Sequence, residues 1–432
     1  MLNHTYCVYG MAKSGLATAR AIINAGGIVY CGDDKNLSER TDLPKGVQIF
    51  KGNLPDNLTA LILSPGIPMT YPAPHDIVVQ AQKHDIPVWC DIELFYRTYH
   101  NRKNVKFIAV TGTNGKSTVT ALTAYLLKSM GQTAYACGNI GTAMFDVPSP
   151  DMHPDNENIY YVIEISSYQA DLCDAFQPDA VAFLNLTPDH IDRHGDIEGY
   201  FNAKMRLFKH TPYYGTAVVI QNDEYARRAK AIAKHTYAFT DDEYTKIRNA
   251  IQSNLYLRGN HNFENALAAY ALVRGMGFDG DDICMHFADY VGLPHRCEYV
   301  GKKSNVVFIN DSKATNAQAT EMALLSYDNI YWLAGGIAKA DGIEPLVPCL
   351  EYVNHVFVYG QDHLRFTDTL KHTKKEFSVY HTMLEAFDAA WNMAAQDSED
   401  AVVLLSPAAA SFDAFKNFEH RGEVFKQLVH DL

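Results

Sequence analysis

The 432-residue chain has no apolar run approaching the ~18 residues of a membrane span, and a membrane partner is not expected. Its start, Met1-Leu2-Asn3-His4-Thr5-Tyr6, lacks a basic stretch followed by an apolar core, so a secretory leader is not evident. There is no Cys-x-x-Cys pair. Eight scattered cysteines (Cys7, Cys31, Cys90, Cys137, Cys173, Cys284, Cys297 and Cys349) read as reduced, mostly buried thiols of a cytoplasmic protein rather than as disulfides or a zinc site. There is no run of Lys and Arg: 37 basic side chains face 50 acidic ones, for a formal net charge of -13. Without a basic face, nucleic acid is not an expected partner. Acidity does not forbid a phosphate ligand, because a backbone loop and a few lysines suffice to hold one. Internal repeats and low-complexity tracts are also missing, and a monomer is expected.

Hydrophobic residues at 47% and charged residues at 20% give an ordinary globular balance, enough for several cores. Short apolar runs alternate with amphipathic stretches. Thr5–Tyr9, Ile28–Cys31, Ala60–Leu63, Phe107–Val110, Tyr160–Ile165, Ala180–Leu184, Ala217–Ile220, Val306–Ile309, Ile330–Leu333, His355–Tyr359 and Ala401–Leu405 read as buried strands. Helical patterns between many of them predict an α/β chain built on parallel sheets. The polar stretch His100–Asn104 and the turn Gly292-Leu293-Pro294, which follows a helical stretch over Asn262–Val291, suggest domains 1–101, 102–292 and 293–432. Val147–Asn158, rich in Pro, Asp and Asn, predicts a mobile surface loop.

Gly10-Met11-Ala12-Lys13-Ser14-Gly15 follows the first strand and opens a helix. It has the shape of a dinucleotide fingerprint, but Ala12 stands where a glycine normally lets backbone approach a pyrophosphate. Asp33 and Asp34 end the second strand, where a ribose or base contact belongs. A nicotinamide cofactor, another nucleotide-like ligand and a purely structural turn all remain open here.

The second glycine loop is more specific. Thr111-Gly112-Thr113-Asn114-Gly115-Lys116-Ser117-Thr118 lies between a strand and a helix rich in Ala, Leu and Thr. The glycines let backbone N–H groups point into the loop, and the helix N-terminus adds its dipole. Lys116 would reach the β- and γ-phosphates, and Ser117 or Thr118 would ligate Mg²⁺. The standard pattern wants a glycine where Val110 stands, so the loop is of a variant class. Glu164, in Glu164-Ile165-Ser166-Ser167-Tyr168-Gln169, ends a strand and suits a metal ligand. His190 has polar neighbours in Asn185-Leu186-Thr187-Pro188-Asp189-His190-Ile191-Asp192. Taken alone, Lys204 reads as a solvated lysine on a polar helix face.

These segments, with Ala203-Lys204, Gly259-Asn260-His261-Asn262, Asn265, Leu293-Pro294-His295-Arg296, Asn310–Asn316 and Leu405–Ser411, resemble the Mur ligase family in combination and order along the whole chain. Asp311-Ser312-Lys313-Ala314-Thr315-Asn316 is similar to the element of the family's D-glutamate-adding members, as are Ser411 and Phe418. The Asp-Tyr-Ala-His type of neighbouring ligases and the Asp-Asn-Pro-Arg motif of diaminopimelate-adding members do not occur there.

The resemblance implies a Rossmann-like N-terminal domain for the UDP end of the substrate, a central ATPase domain of phosphate-loop type with a mostly parallel sheet, and a Rossmann-like C-terminal domain that brings the amino acid. It implies an ADP-forming ligase with ATP and Mg²⁺, which joins D-glutamate to UDP-N-acetylmuramoyl-L-alanine in peptidoglycan precursor synthesis. By the same resemblance Ser14, Asp33, Asp34, Lys35, Ser64, Gly66 and Asn139 line the UDP-substrate site. ATP falls to Gly112, Thr113, Asn114, Gly115, Lys116, Ser117, Thr118, Asn262, Asn265, Arg296 and Asp311. Lys116, Glu164, His190 and Lys204 carry the chemistry, with metal held by Ser117, Glu164, His190 and Lys204 as a carbamate. Lys313, Thr315, Lys339, Ser411 and Phe418 clasp D-glutamate. Three other readings compete: a sister ligase of cell-wall or folylpolyglutamate type, a nicotinamide oxidoreductase built on the first glycine loop, and a non-catalytic nucleotide-binding regulator. The second leaves the phosphate loop and Asp311–Asn316 unexplained, and the third has no use for Lys116, Glu164, His190 and Lys204 together.

Overall fold

The first five strands, β1 (Thr5–Tyr9), β2 (Ile28–Gly32), β3 (Gln48–Ile49), β4 (Ala60–Leu63) and β5 (Val88–Trp89), form a parallel sheet in the order β3-β2-β1-β4-β5. In such a sheet ligands enter beyond the carboxyl ends of the strands where the order reverses. That point lies between β1 and β4, and the chain places Gly10 and Ser64 there. The second sheet contains β6 (Val105–Thr111), β7 (Thr133–Gly138), β8 (Ile159–Glu164), β9 (Ala180–Phe183) and β10 (Thr216–Val219), again all parallel, in the order β10-β9-β6-β8-β7. Because β6 lies between β9 and β8, the loop leaving β6 is flanked by the ends of both. The register pairs Val110 with Glu164 and Thr111 with Phe183.

The remaining strands are β11 (Glu298–Lys303), β12 (Val306–Asn310), β13 (Ile330–Gly335), β14 (Ile337–Ala338), β15 (Val353–Tyr359), β16 (Phe377–Val379), β17 (Ala401–Leu405) and β18 (Ala409–Ala410). Six of them form a sheet in the order β11-β12-β17-β13-β15-β16, parallel except for the β11–β12 pair. The short β14 and β18 pair antiparallel, Ile337 with Ala410 and Ala338 with Ala409.

The computed structural model describes residues 1–50, 52–339 and 342–432. The chain divides into two compact units, Met1–Ile247 with Glu264–Phe287, and Arg248–Phe263 with Ala288–Leu432. The first unit holds the first two sheets. Their apolar residues share one cluster in which Cys7, Leu61 and Phe95 accompany Phe107, Tyr161 and Phe176. The helix Asp91–Tyr99 joins them: the buried Glu93 carboxylate accepts the backbone N–H groups of Asp174, Ala175 and Phe176 and the Arg97 guanidinium.

All eleven strand positions read from apolar runs carry strands, with ends that differ by a residue or two. Three expectations need correction. The helical stretch Asn262–Val291 is two helices, Asn260–Gly275 and Gly280–Met285. Gly277, at φ +95°, turns the chain between them, and Asp279 caps the second. The loop Val147–Asn158 is anchored: Asp151 accepts from Tyr99 and Arg102, His153 meets the Tyr135 hydroxyl, and Tyr161 donates to the Pro148 carbonyl. Lys204 is not on a polar helix face. It lies in the helix Ile197–His210 on a stripe with Tyr200, Phe201 and Phe208, and is 1% exposed.

Candidate active site

The phosphate loop is built by hydrogen bonds that its sequence dictates. Asn185, just past β9, accepts the backbone N–H groups of Thr113 and Asn114 at 3.1 and 2.8 Å through one side-chain oxygen. Its amide group returns a bond to the Asn114 carbonyl. Thr113 Oγ1 receives the Thr187 N–H and touches the Tyr200 hydroxyl. Gly115, at φ +82°, must be glycine for a second reason: a Cβ there would stand 2.4 Å from Asn265 Oδ1. This places Asn265 against the loop. The helix Lys116–Ser129 follows directly, so its first N–H groups face whatever the loop encloses.

Around that loop the structure gathers the sequence-read polar residues. Ser117 Oγ donates to Glu164 Oε2 at 2.5 Å, and Asn139 Nδ2 donates to Glu164 Oε1 at 3.0 Å. Glu164 is 3% exposed. Lys116 is half-buried, its ammonium donating to the Thr113 carbonyl at 2.7 Å. Lys204 Nζ donates to the Gly112 carbonyl at 2.8 Å and lies 4.4 Å from the centre of the Tyr200 ring. Burial holds the Lys204 ammonium well below the usual lysine range, and the nearby Lys116 charge lowers it further. His190 sits in the left-handed region at φ +56°. Burial lowers its pKa, with Asp189 opposing and the charges of Lys204 and Lys116 adding to the effect. Lys116, Glu164, Asp189, His190 and Lys204 therefore form one electrostatic group.

Do these residues fit a hard divalent cation? A buried carboxylate beside a hydroxyl at a phosphate loop is the donor set Mg²⁺ accepts alongside phosphate oxygens and water. Among the described residues no group of three His, Cys, Asp or Glu side chains could hold a metal unaided. The fit is thus to a cation that arrives with a phosphate ligand.

At the first sheet, Ser64 Oγ donates to the Gly10 carbonyl at 2.6 Å and closes the two loops on each other. Asp33 is engaged by the backbone: its two oxygens accept the N–H groups of Met11 and Lys35. Asp34 accepts from the Tyr9 hydroxyl at 2.8 Å and meets His75 at 3.0 Å, with its side chain largely exposed. Ser14 lies in the first turn of the helix Lys13–Asn24 and Gly66 in the turn after β4.

In the second unit the carboxyl ends of β12, β13 and β17 bring three loops together. Asp311 is buried, accepting from Ser406 Oγ at 2.7 Å and the Cys297 N–H at 3.1 Å. Burial pushes its pKa up to about 7, against the opposing Ser406 bond, the Cys297 N–H and the Arg296 charge. Lys313 Nζ stands 3.9 Å from the centre of the Phe418 ring. Lys339 is exposed, directly after β14, and Ser411 is buried, directly after β18; the antiparallel register sets them at opposite ends of the short pair. Thr315 precedes Asn316, which caps the helix Ala317–Leu324. Asn262 is buried at the start of its helix, donating to the Arg258 carbonyl.

Sequence reasoning passed over Arg421, which ties these loops together. Fully buried, its guanidinium donates to Ser312 Oγ, the Ser312 carbonyl and the Ala409 carbonyl at 2.9–3.0 Å, and reaches the Gly335 carbonyl at 3.4 Å. The signal was present: Arg421 is three residues beyond Phe418, one helical turn on. Asn185 and Tyr200 were also not singled out, although Asn185 opens the histidine motif itself.

A parallel sheet whose central strand leads through a glycine loop into a helix, with a buried carboxylate beside the loop serine, defines a phosphate-loop α/β protein. Residues 110–273 match the Mur ligase middle domain, and residues 295–409 match the Mur ligase glutamate ligase domain. The chain belongs to the Mur ligase family. It is 38% identical over 460 aligned positions to the UDP-N-acetylmuramoylalanine--D-glutamate ligase of Caulobacter vibrioides, covering 100% of this chain and 96% of that one. It is 39% identical to the ligase of the same name from Paramagnetospirillum magneticum, covering 98% and 95%. The fold is shared with the UDP-N-acetylmuramate-alanine ligase of Thermotoga maritima at TM-score 0.59 and 18% identity, covering 99% of each chain. It is also shared with the MurF ligase of that organism, solved with ADP, at TM-score 0.59 and 15% identity, covering 100% and 99%.

Proposed function

We propose that this enzyme is an ATP-dependent, ADP-forming ligase that joins D-glutamate to UDP-N-acetylmuramoyl-L-alanine in peptidoglycan precursor synthesis. Identity of 38% along the full length to relatives that bear this activity in their name carries the proposal. Three domains follow from the same reading, 1–101 for the UDP end, 102–292 for ATP and Mg²⁺, and 293–432 for the amino acid. Each interval contains one main sheet in support.

The chemistry sets the task. A carboxylate and an ammonium do not condense in water, so the alanyl carboxylate must first be activated. Its oxygen attacks the γ-phosphorus of ATP, the bond to the β-phosphate oxygen breaks, and ADP leaves. The neutral amine of D-glutamate then attacks the acyl phosphate carbon, and phosphate departs as the amide forms. Catalysis is positioning and charge neutralisation. Lys116 offsets charge on the phosphoryl group in flight. The N–H groups of Gly112–Thr118 cradle the phosphates, with Asn262, Asn265, Arg296 and Asp311 serving adenine, phosphate and ribose. Ser117 and Glu164, already hydrogen-bonded, would hold one Mg²⁺, which would supply charge neutralisation to the phosphates. His190 and Lys204 would serve a second.

Burial of Lys204 supports its reading as a carbamate. A neutral amine is the nucleophile that CO₂ needs, and burial beside Lys116 favours that form. Ser14, Asp34, Lys35, Ser64, Gly66 and Asn139 contact the UDP substrate, with Asp33 shaping the first loop. Because the Asp33 oxygens already accept the Met11 and Lys35 N–H groups, Asp34 is the carboxylate that meets uracil. Lys313, Thr315, Lys339, Ser411 and Phe418 hold the two carboxylates and the α-carbon of D-glutamate.

Labelling the alanyl carboxylate with ¹⁸O tests the activation step. One label per turnover is expected in the released phosphate. Label retained wholly in the amide product and residual substrate, with none in phosphate, rules out the acyl phosphate.

A further inference from the structure

We infer that Arg193 is a positioning residue for the nucleotide-sugar substrate, latching the turn after β4 to the phosphate-loop side of the first unit. The inference rests on the reading of Ser64–Ile67 as part of the UDP-substrate site. Arg193 lies in the short helix Ile191–His194, three residues beyond His190. Its Nη1 donates to the Gly66 carbonyl at 2.8 Å and its Nη2 reaches the Pro65 carbonyl at 3.4 Å, across 127 and 128 residues of sequence. The fork thus spans two successive carbonyls of one turn. That turn is held from its other side by Ser64, through its bond to Gly10, and by the Ile67 N–H to the Ser64 carbonyl.

The same guanidinium lies 4.5 Å from the centre of the Tyr168 ring, in the Glu164–Gln169 motif. Tyr168 packs in turn against His190, at 4.9 Å between ring centres, and stacks on His194 at 5.5 Å. One side chain therefore touches the substrate turn, the motif that carries Glu164 and the segment that carries His190.

Charge argues for a role beyond packing. Among the described residues no carboxylate lies within 4.0 Å of the Arg193 guanidinium, although its charge acts at longer range on the Asp171 carboxyl, which burial raises to about 6. The guanidinium is spent on neutral carbonyls and an aromatic face. Its positive charge, felt at longer range by Asp171, lies beside a turn assigned to a substrate that carries a pyrophosphate. Two N–H groups in a planar fork also fix the turn's distance from Tyr168, which a single ammonium cannot do.

The expected consequence is a split between substrates. In the full-length enzyme, Arg193→Ala raises KM for UDP-N-acetylmuramoyl-L-alanine by about tenfold or more, the scale of one lost charge-assisted hydrogen bond. KM for ATP and for D-glutamate stays within about twofold, and the urea midpoint moves little. Arg193→Lys keeps the charge and one carbonyl contact and recovers part of the loss, whereas Arg193→Gln recovers none. An unchanged KM for the UDP substrate overturns the inference. So does an equal rise in KM for ATP and the UDP substrate, which marks general loosening of the site. Should Arg193→Ala not fold, the Lys and Gln variants decide the matter by the same split. Calorimetric titration of each variant with UDP-N-acetylmuramoyl-L-alanine alone separates this inference from the proposed activity. Weaker binding in Arg193→Gln than in Arg193→Lys upholds the latch even if the wild-type chain forms no amide, and equal binding removes it even if the wild type is fully active.

Discussion

At the scale of single residues, Lys204 shows most clearly what burial adds to a motif. Its position in the chain was legible only through resemblance, and its surroundings were misread as polar. The correction follows from periodicity: Tyr200, Phe201, Lys204, Leu207 and Phe208 recur at helical spacing and all are buried. The lysine occupies a place on the apolar stripe, where a charged ammonium is costly. Lys204→Met, similar in length and without a charge, is expected to keep or raise the melting temperature while removing ligation, because replacing a buried charge by an apolar group of like volume is often neutral or stabilising. Lys204→Ala is expected to lose activity and also some stability through the cavity it leaves. Formate or acetate restores part of the activity in Lys204→Ala, and a small amine does not, if carbamate oxygens are what the site has lost. Thermal melting with activity assays checks each statement; an active Lys204→Met variant contradicts the carbamate reading.

At the scale of elements, the three loops at the carboxyl edge of the third sheet are held by groups that sequence motifs mark but do not weigh. Asp311 belongs to a recognisable run, yet its burial between Ser406 and Cys297 depends on β17 lying beside β12, which no local pattern announces. The consequence is a pH dependence. Burial lifts the Asp311 carboxyl from 3.8 to about 7 in the folded chain. Between these values the unfolded chain has released the proton and the folded chain retains it. The stabilisation from the neutral acid is full below about pH 4 and is lost as pH rises through about 7. Asp311→Asn, which cannot ionise, should therefore gain stability relative to the parent as pH rises across this interval, by at most about 4 kcal/mol. Urea unfolding of both at several pH values measures the difference, in which slopes from other groups cancel. A difference that does not change with pH contradicts the buried-acid account.

The strands show the same division. Ile159–Glu164 is buried at every position and reads as a central strand at sight. Glu298–Lys303 has the sequence EYVGKK, pairs antiparallel at a sheet edge and is half exposed, so hydrophobic runs could not find it. Arg421 escaped notice for a related reason. A buried arginine is satisfied by loop carbonyls brought from residues 312, 335 and 409, and their convergence exists only after folding.

At the scale of the whole molecule, family membership, two parallel five-stranded sheets, a mostly parallel third sheet and a ligase reading agree. What defines the enzyme is which amino acid it joins to which acceptor. The direct measurement is incubation of the chain with ATP, Mg²⁺ and UDP-N-acetylmuramoyl-L-alanine, together with D-glutamate, L-glutamate, L-alanine, L-lysine or diaminopimelate in parallel, with product mass read out. Lys313, Lys339, Thr315 and Ser411 are assigned to hold both carboxylates at once, and inverting the α-carbon then turns the amine away from the acyl phosphate. A product one glutamyl residue heavier is expected with D-glutamate, with ADP formed in equal amount, and no product with the others. Comparable product from L-glutamate, or product only with another amino acid, contradicts this assignment.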